Sequence, residues 1–196
     1  MWVRGDGLAV PSSPTGRKPA GVGQGFSHGF GTRYAPMDLL LDTFHRFAPW
    51  AFVGFLIGAA WSDVRTYEIP NRFSLLIALL YVAYALTGPA PTEIVGAIIV
   101  SAAVFAVAAG LFAIDLMGGG DVKLMAASAL WAGPELAVPF VLATAMAGGV
   151  LALVVLARIR TTTLAGRAVA AQGRDLPYGV AIAAGGLFVA GHLIGL

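Results

Sequence analysis

The chain has 196 residues, of which 58% are hydrophobic and 11% charged, with a formal net charge of +2 and no cysteine. Soluble domains carry roughly 25% charged residues, so a chain this apolar could not cover a water-facing surface; its apolar runs of membrane-spanning length make it an all-α polytopic membrane protein. The lack of cysteine excludes disulfides, thiolate metal sites and cysteine nucleophiles, and no basic run interleaved with aromatics offers a nucleic-acid surface.

Residues 1–36 hold eight glycines and four prolines without a sustained apolar period, and read as a disordered tail. They lack the uninterrupted apolar core of a secretory signal peptide. Met37 is an alternative initiator, which places the integral membrane domain at 37–196. Residues 38–46 mix apolar and charged side chains and predict an interfacial helix. A first span follows over 47–61 and stops at Asp63. Within the polar connection, Ile69-Pro70-Asn71 interrupts the helix, because proline disfavours helical geometry in the residue before it. The second span covers 73–86 and closes at Gly88-Pro89, and the third covers 94–114. After Gly118-Gly119-Gly120-Asp121-Val122-Lys123, residues 122–156 must form two spans, with a turn near Gly133-Pro134-Glu135. A polar loop over 158–176 precedes the last span, 178–196. About six transmembrane helices result.

Basic residues orient the spans. The connections holding Asp63, Asp121 and the long loop carry Arg65, Arg72, Lys123, Arg158, Arg160, Arg167 and Arg174, whereas those around Pro89 and Pro134 carry none. This predicts both aspartates on the cytoplasmic side. The tail opposes it with Arg4, Arg17, Lys18, Arg33 and Arg46, and with 1–36 removed only Arg46 conflicts. From Val122 to the Gly133-Pro134 turn the chain rises only about 18 Å as a helix, against a hydrocarbon core of roughly 30 Å. Either the fourth helix continues past Pro134 with a kink or Asp121 is recessed; recession, at least in part, is the favoured expectation, since glycines and an acid at that depth need a water-filled cavity.

Two carboxylates brought together in a partly dehydrated site cannot both ionise easily, and they titrate as a unit. Such a pair activates water: one acid takes its proton while the other polarises a scissile carbonyl. Asp63 and Asp121 are the candidate pair. Gly118, Gly119 and Gly120 would let an extended peptide approach the backbone, and Lys123 would balance charge or bind lipid head groups. Taken singly, an aspartate at a helix end is more often a cap, and triple glycine in a membrane protein is usually a packing or hinge feature. Asp115, Glu68, Glu93 and Glu135 read as boundary charges, and His28, His45 and His192 lack metal-ligand spacing. No metal or other cofactor is expected. The competing reading is a non-enzymatic transporter or scaffold with Asp63 and Asp121 as proton or ion ligands.

At these residues the chain resembles a known family. Asp63-Val64-Arg65 with Ile69-Pro70-Asn71, then Gly118-Gly119-Gly120-Asp121-Val122-Lys123-Leu124, then Leu176-Pro177-Tyr178-Gly179-Val180-Ala181-Ile182, are similar to three motifs of the type IV prepilin peptidases. The second motif is the Gly-x-Gly-Asp signature shared with presenilin-like proteases. Together the three frame residues 47–196. The resemblance implies six membrane helices in the bacterial inner membrane, with Asp63 and Asp121 as the catalytic pair at the cytoplasmic face. Gly118 and Gly120 match the motif glycines, and Gly119, Lys123, Pro70 and Asn71 are expected to support the motif or bind substrate. The implied substrate is a prepilin or pseudopilin, cut between its short basic leader and its apolar helix. Membrane lipids and the pilus assembly machinery are further implied partners. The long form of the family also methylates the new N-terminus and carries a cytoplasmic insert with paired Cys-x-x-Cys motifs. Here Asp63 to Arg72 is the whole connection, so methyl transfer is not expected. The closer likeness is the short form of tight-adherence (Flp-type) pilus systems. Cleavage within a helix, as by presenilin-like proteases, is a third reading.

Overall fold

In a computed structural model of the chain, residues 36–88, 91–164 and 177–195 are described, and their regular structure is all helical. The tail expected over 1–36 lies outside the described residues up to residue 35, as does the polar loop from residue 165 to residue 176. The helices are α1 (Pro36–Thr66), α2 (Asn71–Thr87), α3 (Pro91–Ala113), α4 (Gly119–Leu164) and α5 (Tyr178–Ile194). Among the described residues α1, α3 and α4 are long and apolar enough to cross a membrane, and α2 and α5 are shorter apolar helices.

Helix α1 corrects the expected division into an interfacial helix and a separate span. It is continuous over 31 residues, roughly 46 Å at about 1.5 Å per residue, and it holds Asp63 in its last turns. The polar residues that suggested a boundary are satisfied on the helix itself. Arg46 pairs with Asp42 one turn away at 3.0 Å, and the Thr43 hydroxyl donates to the Leu39 carbonyl at 2.7 Å. The helix stops because Tyr67 takes a left-handed conformation, φ 53°, with its N–H bonded to the Asp63 carbonyl at 2.8 Å. This is the one-bond αL cap that glycine usually supplies. Ile69-Pro70 follows and α2 begins at Asn71, as the proline predicts.

Helix α4 is two helices joined at Gly133, whose φ 56°, ψ −169° is a conformation essentially confined to glycine. The contacts show that the chain reverses there. In the first arm the Trp131 indole donates to the Ile77 carbonyl at 3.2 Å, and Ser101 of α3 donates to the Ala126 carbonyl at 2.8 Å. In the second arm Phe140 and Thr144 lie against Gly185, and Gly148 lies against Ala181. The first arm thus leaves the end of the bundle where Asp121 sits, and the second returns toward the start of α5. The predicted turn at Gly133-Pro134 is present without a loop, and six helical segments result among the described residues. The second arm continues to Leu164, so the helix extends into the stretch expected as polar loop from residue 158.

The interior is built on Trp131 and on small residues. Phe52 of α1 stacks on Trp131 with centroids 4.8 Å apart and planes 5° from parallel, while Tyr81 of α2 meets it edge-on. Helix α5 buries Gly179, Ala181, Ala183, Gly185, Gly186 and Ala190, so it packs at close range between α1 and the second arm of α4. Without a strong hydrophobic drive between helices in lipid, such small-residue contacts let backbones approach and give the packing its energy. Large apolar side chains such as Leu79, Ile99, Leu142 and Met146 face outward, a surface suited to lipid.

Candidate active site

Three helix ends and one connection meet at the end of the bundle where α1 stops. They enclose a cavity of about 270 Å³ lined by Asp63, Tyr67, Glu68, Ile69, the glycines 118–120 and Asp121. Both aspartates are buried, Asp63 to 5% and Asp121 to 8% exposure, and both line this one cavity.

Each carboxylate is fixed at a helix N-terminus, where unpaired N–H groups and the helix dipole favour an anion. Asp121 is the third residue of the first arm of α4, and its Oδ2 accepts the Gly118 N–H at 3.2 Å. This is the reach-back bond of a capping box. Its Oδ1 is buried with no hydrogen-bond partner. Asp63 caps a helix distant in sequence: its Oδ2 accepts the Gly179 N–H at 2.7 Å, at the start of α5. Pro177, the residue before that helix, offers no side-chain cap of its own, so α1 supplies it.

The glycines serve close approach within the protein. A methyl group on Gly118 would sit 2.8 Å from Asp121 Oδ2, and one on Gly120 would sit 3.0 Å from both the Cβ and the carbonyl oxygen of Ile69. Gly120 therefore lets the α1–α2 connection lie on the start of α4, and the space above it is already filled. Gly119 has ordinary room, 3.5 Å to the Phe112 ring. Just before the motif, Asp115 ends α3 in the left-handed region at φ 56°. Its N–H bonds to the Phe112 carbonyl and that of Leu116 to the Leu111 carbonyl, each at 3.0 Å, which is the Schellman pattern. That stop frees 118–120 to turn into α4.

Lys123, Pro70 and Asn71 are not among the residues lining the cavity. Lys123 Nζ donates to Asn71 Oδ1 at 3.0 Å, bracing the start of α4 against the start of α2, and the Pro70 carbonyl accepts the Phe73 N–H at 3.1 Å. Sequence reasoning placed Asp63 and Asp121 as a pair but missed Gly179, Tyr67 and Glu68. Glu68, read as a boundary charge, lines the cavity. The signal for Gly179 lay in Pro177-Tyr178-Gly179, which marked the start of the last helix but not its partner. A second cavity of about 560 Å³ lies at the opposite end of the bundle, among His45, Tyr84, Trp131, Glu135 and His192, and contains none of the motif residues.

Buried carboxylates that share a cavity with backbone N–H groups can bind a water molecule and move protons to and from it. Comparison with curated proteins and with solved structures returns no match. A sequence model of the type IV leader peptidase family matches residues 50–153, a stretch containing both aspartates. With that match over more than half of its length, the chain belongs to the type IV leader peptidase family and is a membrane protease of that kind.

Proposed function

We propose that the chain is an aspartic endopeptidase in which Asp63 and Asp121 activate water to cut the basic leader from prepilin or pseudopilin precursors. The observation that carries this reading is the shared cavity, with both carboxylates buried and fixed by backbone N–H groups. In the reaction one carboxylate, ionised, takes a proton from water as the water oxygen bonds to the scissile carbonyl carbon. The other, protonated, gives its proton to the carbonyl oxygen, and a gem-diol forms. On collapse the C–N bond breaks and the nitrogen receives the proton held by the first acid. One diol hydroxyl returns its proton to the second. Water is consumed, a carboxyl and an amine are formed, and both acids regain their starting states.

The site is proposed to face the cytoplasm from the inner membrane, because Arg65, Arg72 and Lys123 lie at the aspartate end. Substrates of the Flp type are favoured by the short α1–α2 connection, and cleavage without N-methylation by the absence of a cysteine-bearing insert there. Co-expression with a candidate prepilin tests the reading. Asp63→Asn and Asp121→Asn should each lower processing by about 10³-fold or more, and processing that survives either change would leave the acids as ion ligands of a transporter or scaffold. The rate should follow a bell-shaped pH profile: the base is lost as pH falls and the acid as pH rises. A flat profile across the carboxylate range would contradict the shared-proton mechanism.

A further inference from the structure

Among the described residues the cavity is lined by acids and by no cation. Asp63, Glu68 and Asp121 line it, while Arg65, Arg72 and Lys123 are engaged elsewhere. The Arg65 guanidinium lies 4.3 Å from the centre of the Trp61 ring, that of Arg72 lies 5.3 Å from the Phe73 ring, and Lys123 is bonded to Asn71. Among the described residues the ion pair is Arg46 with Asp42, in the opposite half of α1, so Glu68 has no cation of its own.

Glu68 is also held in place with care. The Ser62 and Thr66 hydroxyls donate to its carbonyl at 3.0 and 3.2 Å, stapling the connection back onto the last turn of α1. The preceding Tyr67 is left-handed, a state that costs a bulky residue on the order of 1 kcal/mol and is rarely tolerated without a use. Unlike the two aspartates, Glu68 is exposed. The cavity thus has buried acids at its base and an accessible, unpaired acid on a rigid connection. Asp121 Oδ1, a buried oxygen with no hydrogen-bond partner in the protein, independently points to this cavity as a place for a polar ligand.

We propose that Glu68 is a specificity residue that receives a cationic side chain, a lysine or arginine, of the peptide being cut. This rests on the peptidase reading above and assigns to one residue the preference for a basic leader. An arginine or lysine bonded to Glu68 would anchor the leader on the α1–α2 connection and leave the scissile bond over Asp63 and Asp121. A charge pair at an accessible site acts on binding and encounter more than on bond breaking.

The test uses the full chain in detergent with two synthetic peptides. One carries a Lys/Arg-containing leader, a glycine and an apolar run, and its twin has glutamate at every basic position. Glu68→Gln should lower kcat/KM on the basic peptide by roughly fivefold, through KM. Glu68→Lys should lower it by about tenfold or more and raise cleavage of the acidic twin above the wild-type level. Anisotropy of the labelled basic peptide bound to Asp121→Asn should weaken by the same factors when either Glu68 change is added. An active Glu68→Lys enzyme that keeps the wild-type preference between the peptides overturns the assignment and leaves the peptidase reading intact. A wild-type enzyme that leaves the basic peptide uncut overturns both.

Discussion

At Gly179 a single methyl group would lie 2.8 Å from Asp63 Oδ2 and from Ile69 Cδ1. Ile69 Cδ1 ends a side chain that can turn aside, but the Asp63 carboxylate is bonded to the Gly179 N–H and Asp63 Cβ lies 3.1 Å from the same methyl position, so Asp63 itself must shift. On the role proposed for Asp63, Gly179→Ala should lower kcat/KM by about 100-fold, the scale set by displacing a reacting group by about 1 Å, while the protein still inserts and folds. Full activity in that variant would show that the contact does not position Asp63. The motif glycines divide in the same way. Gly120→Ala should be damaging, whereas Gly119→Ala should change stability by no more than about 0.5 kcal/mol, measurable as a midpoint shift in thermal unfolding. The two aspartates were legible in the sequence because each is an acid beside an apolar run and each sits at a helix boundary. The Asp63–Gly179 bond was not, because it joins residues 116 apart and no local pattern reports a helix cap borrowed from another helix.

On the scale of elements, the reversal in α4 depends on one backbone conformation. Gly133→Ala places a Cβ in a region that costs on the order of 1–3 kcal/mol for other residues, although space around it is open. The expected outcome is a lower unfolding midpoint in detergent with the helix content retained, followed by circular dichroism. An unchanged midpoint would mean that the turn relaxes without the glycine. This turn could be read from Gly133-Pro134-Glu135, because an apolar run too long for one span must break and glycine-proline offers the place. The continuity of α1 could not be read the same way. Asp42, Thr43 and Arg46 look like an interface in sequence, yet they bond one another or the backbone one turn away, and a helix that satisfies its own polar groups has no reason to stop. Pro49 does not stop it either.

For the molecule as a whole, the motif residues gather at one end and the aromatic cavity with its two histidines at the other. The native chain has no cysteine, so single cysteines report on sidedness without background. Leu116→Cys lies at the aspartate end and Leu86→Cys near the opposite end, and both positions are well exposed. In intact cells an impermeant thiol reagent should label Leu86→Cys and spare Leu116→Cys, and the reverse pattern would invert the proposed orientation. The helical segments and the placing of Arg65, Arg72 and Lys123 beside the two aspartates were open to sequence reasoning, because hydropathy and charge act along the chain. The shape of the cavity was not, because it arises where three helix ends meet in space. Its assembly has a consequence for biosynthesis. Asp63 and Asp121 are translated and inserted well before residue 179, yet Asp63 gains its backbone donor only when the last helix docks. A nascent chain that has not yet docked α5 therefore carries both acids without a finished site, and on the proposed mechanism its proteolytic competence should appear only after α5 packs against α1.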